Sequence, residues 1–200
     1  MGDRPLDQWN YRAEYPRLKR CLSVMYETMR LYTPVPVLKW SPDKAQSINV
    51  GERTIHLPAG SMICPSYGAV QTDPRYWGTY SLAWQPSRWI KGTPSSPFDP
   101  PPRDPPPPGE EEFQHPHRGT FLGWGEGMRD CPGKKFSQVE FVATMAVLFR
   151  NSRVDPVTKP GESMDAARER VADMIKNDSG PVLLLQLLHP ERTPLRWRRV

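Results

Sequence analysis

The 200-residue sequence contains few cysteines, and their spacing excludes the common roles of cysteine groups. Cys21, Cys64 and Cys131 are three in number, and no two of them form a C-x-x-C pair. An odd number of widely spaced cysteines argues against a disulfide framework and against a structural zinc site. Most cysteines in proteins are small buried hydrophobic residues, and we expect this role for Cys21 and Cys64.

Long apolar runs are also absent, and the charge is not concentrated in one block. No run approaches the roughly 20 apolar residues that cross a bilayer. The first residues, MGDRPLDQWNY, are too polar for a signal peptide. The net charge is +5, and we expect the densest basic run, RTPLRWRRV, to be a solvated chain end and not a nucleic-acid-binding patch, so no nucleic-acid partner is expected. The sequence therefore predicts a soluble chain.

Prolines, by contrast, are abundant, with 25 in the chain, and many of them lie in one segment. This segment, at 93–118, is expected to be an extended, solvated loop because proline supports neither a helix interior nor a strand ladder. Its P-x-x-P pieces could bind an SH3 or WW domain. A tolerated loop insertion is the interpretation that we prefer.

The hydrophobic periodicity predicts a mainly α fold with small β-sheets, which is an α+β class. We predict a helix at 17–32, a buried helix at 132–151, and a closing helix followed by strands at 163–200. β-branched residues interrupted by Gly and Pro predict β-hairpins at 47–70. The apolar positions of the first helix repeat at three- and four-residue steps: Leu18, Cys21, Leu22, Met25, Met29 and Tyr32.

Cys131 differs from the other two cysteines because it lies in a glycine-rich loop at 121–133. Glycines allow the backbone to lie close to a flat or bulky ligand. Pro132 suits the first turn of a helix, and the free N–H groups and positive end of that helix favour a thiolate. Such a thiolate could act in covalent catalysis with a histidine base, or it could be the axial ligand of a haem iron.

The residues around Cys131 resemble the ligand loop of the cytochrome P450 haem-thiolate monooxygenases. The family pattern F-x-x-G-x-R-x-C-x-G is matched by Trp124, Gly127, Arg129, Cys131 and Gly133, with Trp in place of the usual Phe. The resemblance implies that Cys131 is the axial ligand of the haem iron. It also implies that Arg129 contacts a haem propionate and that the other three residues belong to the cofactor-binding loop.

A second motif of the family lies in the first predicted helix. In YETMR, Glu27 and Arg30 form an E-x-x-R pair on one face of that helix. The third member of the family's ion-pair cluster resembles Arg88 in WQPSRW. By this resemblance, Glu27, Arg30 and Arg88 form a buried cluster that fixes the core around the ligand loop.

The order of the motifs is similar to that of the family's C-terminal portion from about residue 15 onward, and most similar to filamentous-fungal members. The resemblance implies a haem-dependent monooxygenase that inserts oxygen from O2 into an apolar organic substrate. The implied cofactor is haem b, and the implied electron source is NADPH through a reductase.

Contacts with substrate and reductase are also implied by this resemblance. Val35, Pro36 and Val37 follow the first helix, as a substrate-contact stretch of the family does, so we expect them to contact substrate. Lys134 and Lys135 would suit an acidic reductase surface, although basic residues at a helix start also simply favour solubility.

The resemblance further implies that residues 1–200 are a single C-terminal segment of an incomplete P450 fold. Members of the family are more than twice as long, and the oxygen-activating helix of the family has no counterpart in this sequence. We therefore expect half of a haem pocket and assign no certain catalytic residue. A catalytically inactive remnant and a proline-rich interaction module are the alternatives. Intact eukaryotic members are usually bound to the endoplasmic-reticulum membrane, which leaves the location of this chain open.

Overall fold

The computed structural model describes residues 4–35, 39–93, 107, 109–182 and 184–200. The helices are α1 (Tyr11–Glu14), α2 (Lys19–Leu31), α3 (Tyr67–Thr72), α4 (Pro74–Trp77), α5 (Lys134–Leu148) and α6 (Met164–Asn177). The strands are β1 (Lys39–Trp40), β2 (Gln46–Val50), β3 (Arg53–Leu57), β4 (Met62–Ile63), β5 (Ser152–Pro156), β6 (Ser179–Pro181), β7 (Leu185–Leu187) and β8 (Leu195–Arg199). Short 3-10 turns lie at Leu6–Gln8, Tyr15–Arg17, Pro86–Trp89 and Pro190–Arg192.

The described strands pair in twos, and each pair is antiparallel. β2 and β3 form a hairpin whose register runs from Gln46↔Leu57 to Val50↔Arg53. Gly51 turns the chain between them with a φ of 58°, a conformation that glycine adopts at little cost. The other pairs are β1 with β4, β5 with β8, and β6 with β7. The fold is therefore mixed, with helices and small antiparallel sheets, as the sequence predicted.

The prediction of β-hairpins over 47–70 is wrong at its C-terminal end. Strand β4 ends at Ile63, and Tyr67–Thr72 is helical. Tyr67 and Gln71 lie four residues apart and are both buried. Because a helix places residues four apart on the same face, helical geometry buries both side chains where α3 packs against α2.

Helix α2 carries the buried polar residues from which the site is built. It follows the 3-10 turn at Tyr15–Arg17. It ends just before Tyr32, and Pro34 follows two residues after Tyr32. Its buried residues are Ser23, Tyr26, Glu27 and Arg30. Since a charged pair is normally exposed, two buried charges on one helix indicate that polar partners lie opposite this face.

An aromatic cluster forms the core beside α2. The ring of Tyr26 lies 5.0 Å from that of Trp89 and 4.9 Å from that of Phe113, measured between centroids. The ring of Trp124 lies 4.9 Å from Tyr26 as well. Tilted and edge-to-face pairs at such distances stabilise a core beyond the burial of their area. The cluster therefore joins α2 directly to the loop that carries Cys131.

The prediction of a deeply buried helix at 132–151 is wrong in its burial and its bounds. Helix α5 begins only at Lys134, and its buried residues are Gln138, Val142 and Ala146. These lie four apart and form one stripe, which packs against α2. Phe136, on another face, is 72% exposed. Helix α5 is apolar on more than one face, so part of its apolar surface outside the buried stripe is not covered by any described residue.

The expectation of burial is also wrong for Cys64. Cys64 is exposed and Cys21 is half-buried. Cys64 directly follows β4, whose sheet has only β1 as a second strand, so little structure lies over it. Cys21 lies in α2, and burial there raises the pKa of its thiol.

Candidate haem site

Glu27 and Arg30 form an ion pair in which both side chains are 0% exposed. Arg30 Nε donates to Glu27 Oε2, and Arg30 Nη2 donates to Glu27 Oε1, each at 2.8 Å. The residues are three apart on α2, so their side chains leave the same face of the helix and meet without distortion. Two parallel bonds between a guanidinium and a carboxylate are the strongest form of such a pair.

Three further donors complete the shell of the Glu27 carboxylate. Arg88 Nε donates to Glu27 Oε1 at 3.0 Å, and the backbone N–H of Gln85 donates to the same oxygen at 2.8 Å. Trp89 Nε1 donates to Glu27 Oε2 at 2.9 Å. The structure thus brings together Glu27, Arg30 and Arg88, the three residues that the sequence grouped. We call these three residues the ion-pair cluster.

The arginines of the ion-pair cluster also hold the backbone of the segment at 71–83. Arg30 Nη1 donates to Gln71 O at 2.9 Å, and Arg30 Nη2 donates to Ala83 O at 3.1 Å. Arg88 Nη2 donates to Tyr80 O at 3.1 Å and to Ala83 O at 3.2 Å. Buried charges are stable only when they are paired and hydrogen-bonded, and both conditions are met here.

Burial opposes the negative charge of Glu27, but its partners outweigh that effect. The hydrogen bonds and charge of Arg30, the Gln85 amide and the charge of Arg88 together hold the pKa of Glu27 below its ordinary value. Burial lowers the pKa of Arg88, against the attraction of Glu27. A guanidinium is not deprotonated in proteins, so both arginines carry a positive charge. The cluster therefore holds one negative and two positive charges.

The loop that carries Cys131 is exposed to solvent, whereas the ion-pair cluster is buried. The backbone N–H of Cys131 donates to Trp124 O at 2.7 Å, and the N–H of Lys134 donates to Cys131 O at 3.2 Å. Gly125 and Gly127 have φ values of 73° and 92°. This region favours glycine, so the glycines allow the tight bend that these bonds close. Cys131 itself is exposed on the outside of the bend.

The Cys131 thiol has no hydrogen-bond partner within the described part of the chain. His56 is bonded to Ser47, and His189 is bonded to Asp178, so neither of these histidines is placed as a base for Cys131. Across the same residues, no group of three or more His, Cys, Asp or Glu could hold a metal ion. Among the described residues no hydrogen bond joins a histidine to the Cys131 thiol, which leaves the sulfur available as a single ligand.

The surface around Cys131 fits a flat, largely apolar cofactor with anionic groups. Met128, in the loop, is fully exposed, and Phe136, near the start of α5, is 72% exposed. A Cβ built at Gly127 would meet no atom within 4 Å, so the loop leaves open space there. Arg129 is exposed and makes no hydrogen bond or ion pair with any described residue. A sulfur ligand, apolar side chains and a free cation are together what a haem with propionates requires.

Trp124 lies in the core, whereas the sequence suggested it as part of the cofactor contact. Its side chain is 8% exposed, and its Nε1 donates to Ser137 Oγ at 2.9 Å. Lys134 Nζ lies 5.8 Å from its ring centroid. A Cβ at Gly133 would lie 3.7 Å from Cys131 Sγ, an ordinary contact. Trp124 therefore anchors the loop, and its contact with a cofactor stays a prediction.

The predicted substrate stretch is described only in part. Val35 is exposed, and Pro36 and Val37 lie outside the described residues. Next to this stretch, the N–H of Leu185 donates to Pro34 O at 2.9 Å, which attaches the β6–β7 hairpin to the end of α2. A mainly apolar cavity of about 730 Å³ lies beside Pro34 and Leu185. Contact of Val35 with a substrate stays a prediction.

Sequence reasoning missed three buried polar residues that connect the site. Gln71 is wholly buried between α2 and the loop at 121–133, which we call the cysteine loop. Gln138 Nε2 donates to Tyr26 Oη at 3.0 Å and joins α5 to α2. Glu111 accepts from Arg20 Nε at 2.6 Å and joins the end of the proline-rich segment to α2. Gln138 is one of several polar residues of α5, and its partner Tyr26 is 112 residues away, so no local pattern singles it out.

The buried Glu–Arg–Arg cluster and the exposed cysteine loop are both present, as the sequence resemblance implied, and the comparison with known families identifies the class of protein. The family model of cytochrome P450 matches residues 2–177 of the chain. The chain belongs to the cytochrome P450 family.

Curated relatives agree with this assignment. A cytochrome P450 monooxygenase of Arthrobotrys oligospora is 32% identical over 165 residues, which are 80% of this chain and 28% of the relative. The phomenoic acid biosynthesis cluster cytochrome P450 monooxygenase of Leptosphaeria maculans is 32% identical over 181 residues, 88% of this chain and 30% of the relative. The chain thus spans less than a third of the length of these relatives, which come from fungi, as the sequence resemblance suggested.

Solved structures show the same fold. The retinoic acid-bound cyanobacterial CYP120A1 matches 98% of this chain and 36% of its own, with a TM-score of 0.60 and 14% identity. The haem domain of cytochrome P450DA matches 93% of this chain and 33% of its own, with a TM-score of 0.57 and 15% identity. The prediction of a partial P450 fold is therefore confirmed. None of the described helices is long and apolar enough to span a membrane.

Proposed function

We propose that this chain forms the iron-ligand side of a haem-dependent monooxygenase, with Cys131 as the axial ligand. The observation that carries the proposal is the exposed Cys131 thiol, free of partners among the described residues and held in a glycine-bent loop. Family membership supports haem as the cofactor, and we propose haem b. When bound, the haem would supply the activation of O2 that oxygen insertion requires.

The residues of the loop would each have a separate task toward the cofactor. Cys131 would donate its thiolate sulfur, while Gly127 and Gly133 would leave room for the porphyrin. Arg129 would pair with a propionate, which its free guanidinium supports. Phe136 and Met128 would lose their exposure against the apolar part of the cofactor, a favourable change.

Substrate and electron supply are further parts of the proposal. Val35, Pro36 and Val37 would contact an apolar organic substrate. Electrons would come from NADPH through a reductase with an acidic surface, for which the exposed Lys134 and Lys135 are suited. Two monooxygenase relatives from fungi support the reaction class. A place on the endoplasmic-reticulum membrane, usual for intact eukaryotic members, is part of the same proposal.

The test is a difference spectrum of the purified chain with added haem, reduced and saturated with carbon monoxide. We expect a strongly red-shifted Soret band, which indicates thiolate ligation, and its loss in Cys131→Ala. Cys64→Ala is the matched control, because Cys64 is also exposed but lies outside the loop. This variant should keep the band.

The absence of a red-shifted band from a folded chain would overturn the proposal for this chain. That result would favour the alternative of a catalytically inactive P450 remnant. The other alternative, an interaction module, depends on the proline-rich loop, of which 94–106 and 108 lie outside the described residues. A band that survives deletion of 94–106 would separate the haem site from that module.

A further inference from the structure

Gln71 is a wholly buried side chain that bonds two separate parts of the structure. It is 0% exposed. On one side, its Nε2 donates to Arg30 O at 3.0 Å, to Met29 O at 3.2 Å and to Thr33 Oγ1 at 2.8 Å, all at the C-terminal end of α2. On the other side, its Oε1 accepts from the N–H of Leu122 at 2.7 Å.

The orientation of the Gln71 amide follows from its partners. The carbonyl oxygens of Met29 and Arg30 can only accept, so the atom that faces them must be the NH2 group. The backbone N–H of Leu122 can only donate, so the atom that faces it must be the carbonyl oxygen. A reversed amide would lose these bonds and leave buried groups unsatisfied, which makes the arrangement specific.

The backbone of Gln71 is tied to the ion-pair cluster as well. Its carbonyl oxygen accepts from Arg30 Nη1 at 2.9 Å. The guanidinium of Arg30 also lies 5.0 Å from the centroid of the Trp77 ring, in α4 just after Gln71. Arg30 therefore fixes the main chain of Gln71, while the side chain of Gln71 bonds a third element.

That third element is the start of the cysteine loop. Leu122 donates its N–H to Gln71, and its carbonyl oxygen accepts from the N–H of Gly125 at 2.8 Å. The adjacent Trp124 offers its carbonyl to the N–H of Cys131 at 2.7 Å. A short series of hydrogen bonds through Leu122 and Trp124 therefore connects Gln71 to Cys131.

We propose that Gln71 is a positioning residue, which fixes the start of the cysteine loop to α2 through the bond between Leu122 N–H and Gln71 Oε1. The ion-pair cluster makes no direct side-chain bond to residues 121–131 among the described contacts. Aromatic packing of Tyr26 and Trp89 also reaches that loop, but the Gln71 side chain bonds its backbone at Leu122. The bond is a property of the protein alone. Only its consequence for a haem ligand rests on the proposed function.

The first measurement is native-state hydrogen exchange on the unmodified 200-residue chain, read at single amides by NMR. If the bond to a buried side chain exists, the Leu122 amide should exchange as slowly as the buried amides of α2, within about ten-fold. An exposed loop amide without this bond would exchange far faster. Near-unprotected exchange at Leu122 would overturn the proposal without any variant.

Three variants then separate positioning from space filling, with the amide of Val142 in α5 as the internal reference. Gln71→Met keeps the volume and removes every side-chain bond. Gln71→Glu keeps an acceptor for Leu122 but has no donor for α2. Thr33→Val removes one bond on the α2 side and leaves the Leu122 bond intact, so it is the matched control.

We expect Gln71→Met to speed exchange at Leu122 by roughly ten-fold relative to Val142, as the loss of one buried bond would. Thr33→Val should leave that ratio within about three-fold of the unmodified chain. Gln71→Glu turns a carboxyl oxygen toward the carbonyls of Met29 and Arg30, so it should protect Leu122 better than Gln71→Met but less than Gln71 does. The Cys131 thiol should also react faster with a maleimide in Gln71→Met, while Cys64 reacts as before. Equal ratios in all three variants would overturn the proposal.

A failure of Gln71→Met to fold leaves the proposal testable. The measurement on the unmodified chain still decides it, and Thr33→Val should keep Leu122 protected relative to Val142. Loss of Leu122 protection in Thr33→Val would mean that the α2 side, and not the bond to Gln71 Oε1, controls the loop. None of these measurements needs haem, so they fail or succeed independently of the spectrum that tests the proposed function.

Discussion

The ion-pair cluster and the cysteine loop are opposites in the same small structure. Glu27 and Arg30 are wholly buried and fully paired, whereas Cys131 and Arg129 are exposed and unpaired among the described residues. Removing a partner from the first region leaves a buried charge, while removing one from the second leaves nothing unsatisfied. The comparison indicates that the ion-pair cluster contributes to stability, whereas the cysteine loop contributes little to it and, under the proposed function, holds the haem.

The largest effect is expected from Glu27→Gln. The change keeps the shape of the side chain but leaves Arg30 and Arg88 without a counter-charge inside the protein. Breaking a buried pair in this way costs about 3–5 kcal/mol, which is a large part of the stability of a domain. We expect the near-ultraviolet circular dichroism of the aromatic core to be lost, or the urea midpoint to fall steeply.

Glu126→Gln is the matched control for this variant. Glu126 pairs with Arg118 at 3.2 Å, but the Arg118 side chain is 91% exposed. A surface pair contributes little, so the urea midpoint should hardly move. Equal midpoints in the two variants would contradict the division between the regions.

Protonation of Glu27 should lower the free energy of unfolding by a smaller amount, spread over a range of pH. The pKa of Glu27 is lower in the folded chain than its ordinary value of 4.5. The contribution of this carboxylate is therefore complete above pH 4.5 and is lost as the pH falls through the folded value. The free energy of unfolding should be level near neutral pH and should decrease below pH 4.5.

The indole signals of two tryptophans report whether Glu27 is ionised in the folded chain. Trp89 Nε1 donates to Glu27, so its indole N–H resonance should move only when the pH reaches the lowered folded pKa of Glu27. Trp124 Nε1 donates to Ser137, which does not titrate, so its resonance should stay in place until the chain unfolds. Because folded Glu27 stays ionised until the pH reaches its lowered pKa, a Trp89 signal that already moves near pH 4.5 would contradict the lowered pKa of Glu27.

In the cysteine loop, the largest stability effect should come from backbone strain. Gly127 has a φ of 92°, and a Cβ there would meet no neighbour, so Gly127→Ala tests conformation alone. An L-residue in this region costs about 1–2 kcal/mol. Gly133 has a φ of −83°, so Gly133→Ala should leave stability nearly unchanged. Equal urea midpoints for these variants would show that the bend is not maintained by glycine.

The contrast between the two regions also explains what the sequence could predict. The pairing of Glu27 with Arg30 is local, because three residues of helix place both side chains on one face. The inclusion of Arg88, 61 residues away, came from the resemblance to the family and not from spacing. The loop motif likewise identified Cys131, because the chemistry of a ligand loop lies in consecutive residues.

Long-range contacts set the limit of that prediction. Gln71 belongs to the site only through partners 38 to 51 residues away, and no local pattern indicates them. The apolar composition of 132–151 predicted burial, but burial depends on what lies opposite each face. In α5 only the stripe with Val142 meets α2, so Phe136 is left exposed.

The smallest change in stability is expected from Cys131→Ala. The side chain is exposed and bonds nothing among the described residues, so the free energy of unfolding should change by less than about 0.5 kcal/mol. Cys64→Ala, at an equally exposed site, should behave in the same way, and urea midpoints measured side by side check both. A midpoint that falls for Cys131→Ala as far as for Gly127→Ala would mean that the sulfur helps to hold the loop. An unchanged midpoint together with a lost thiolate–haem band would separate the two regions fully, because the residue that matters most for the cofactor would then matter least for the fold.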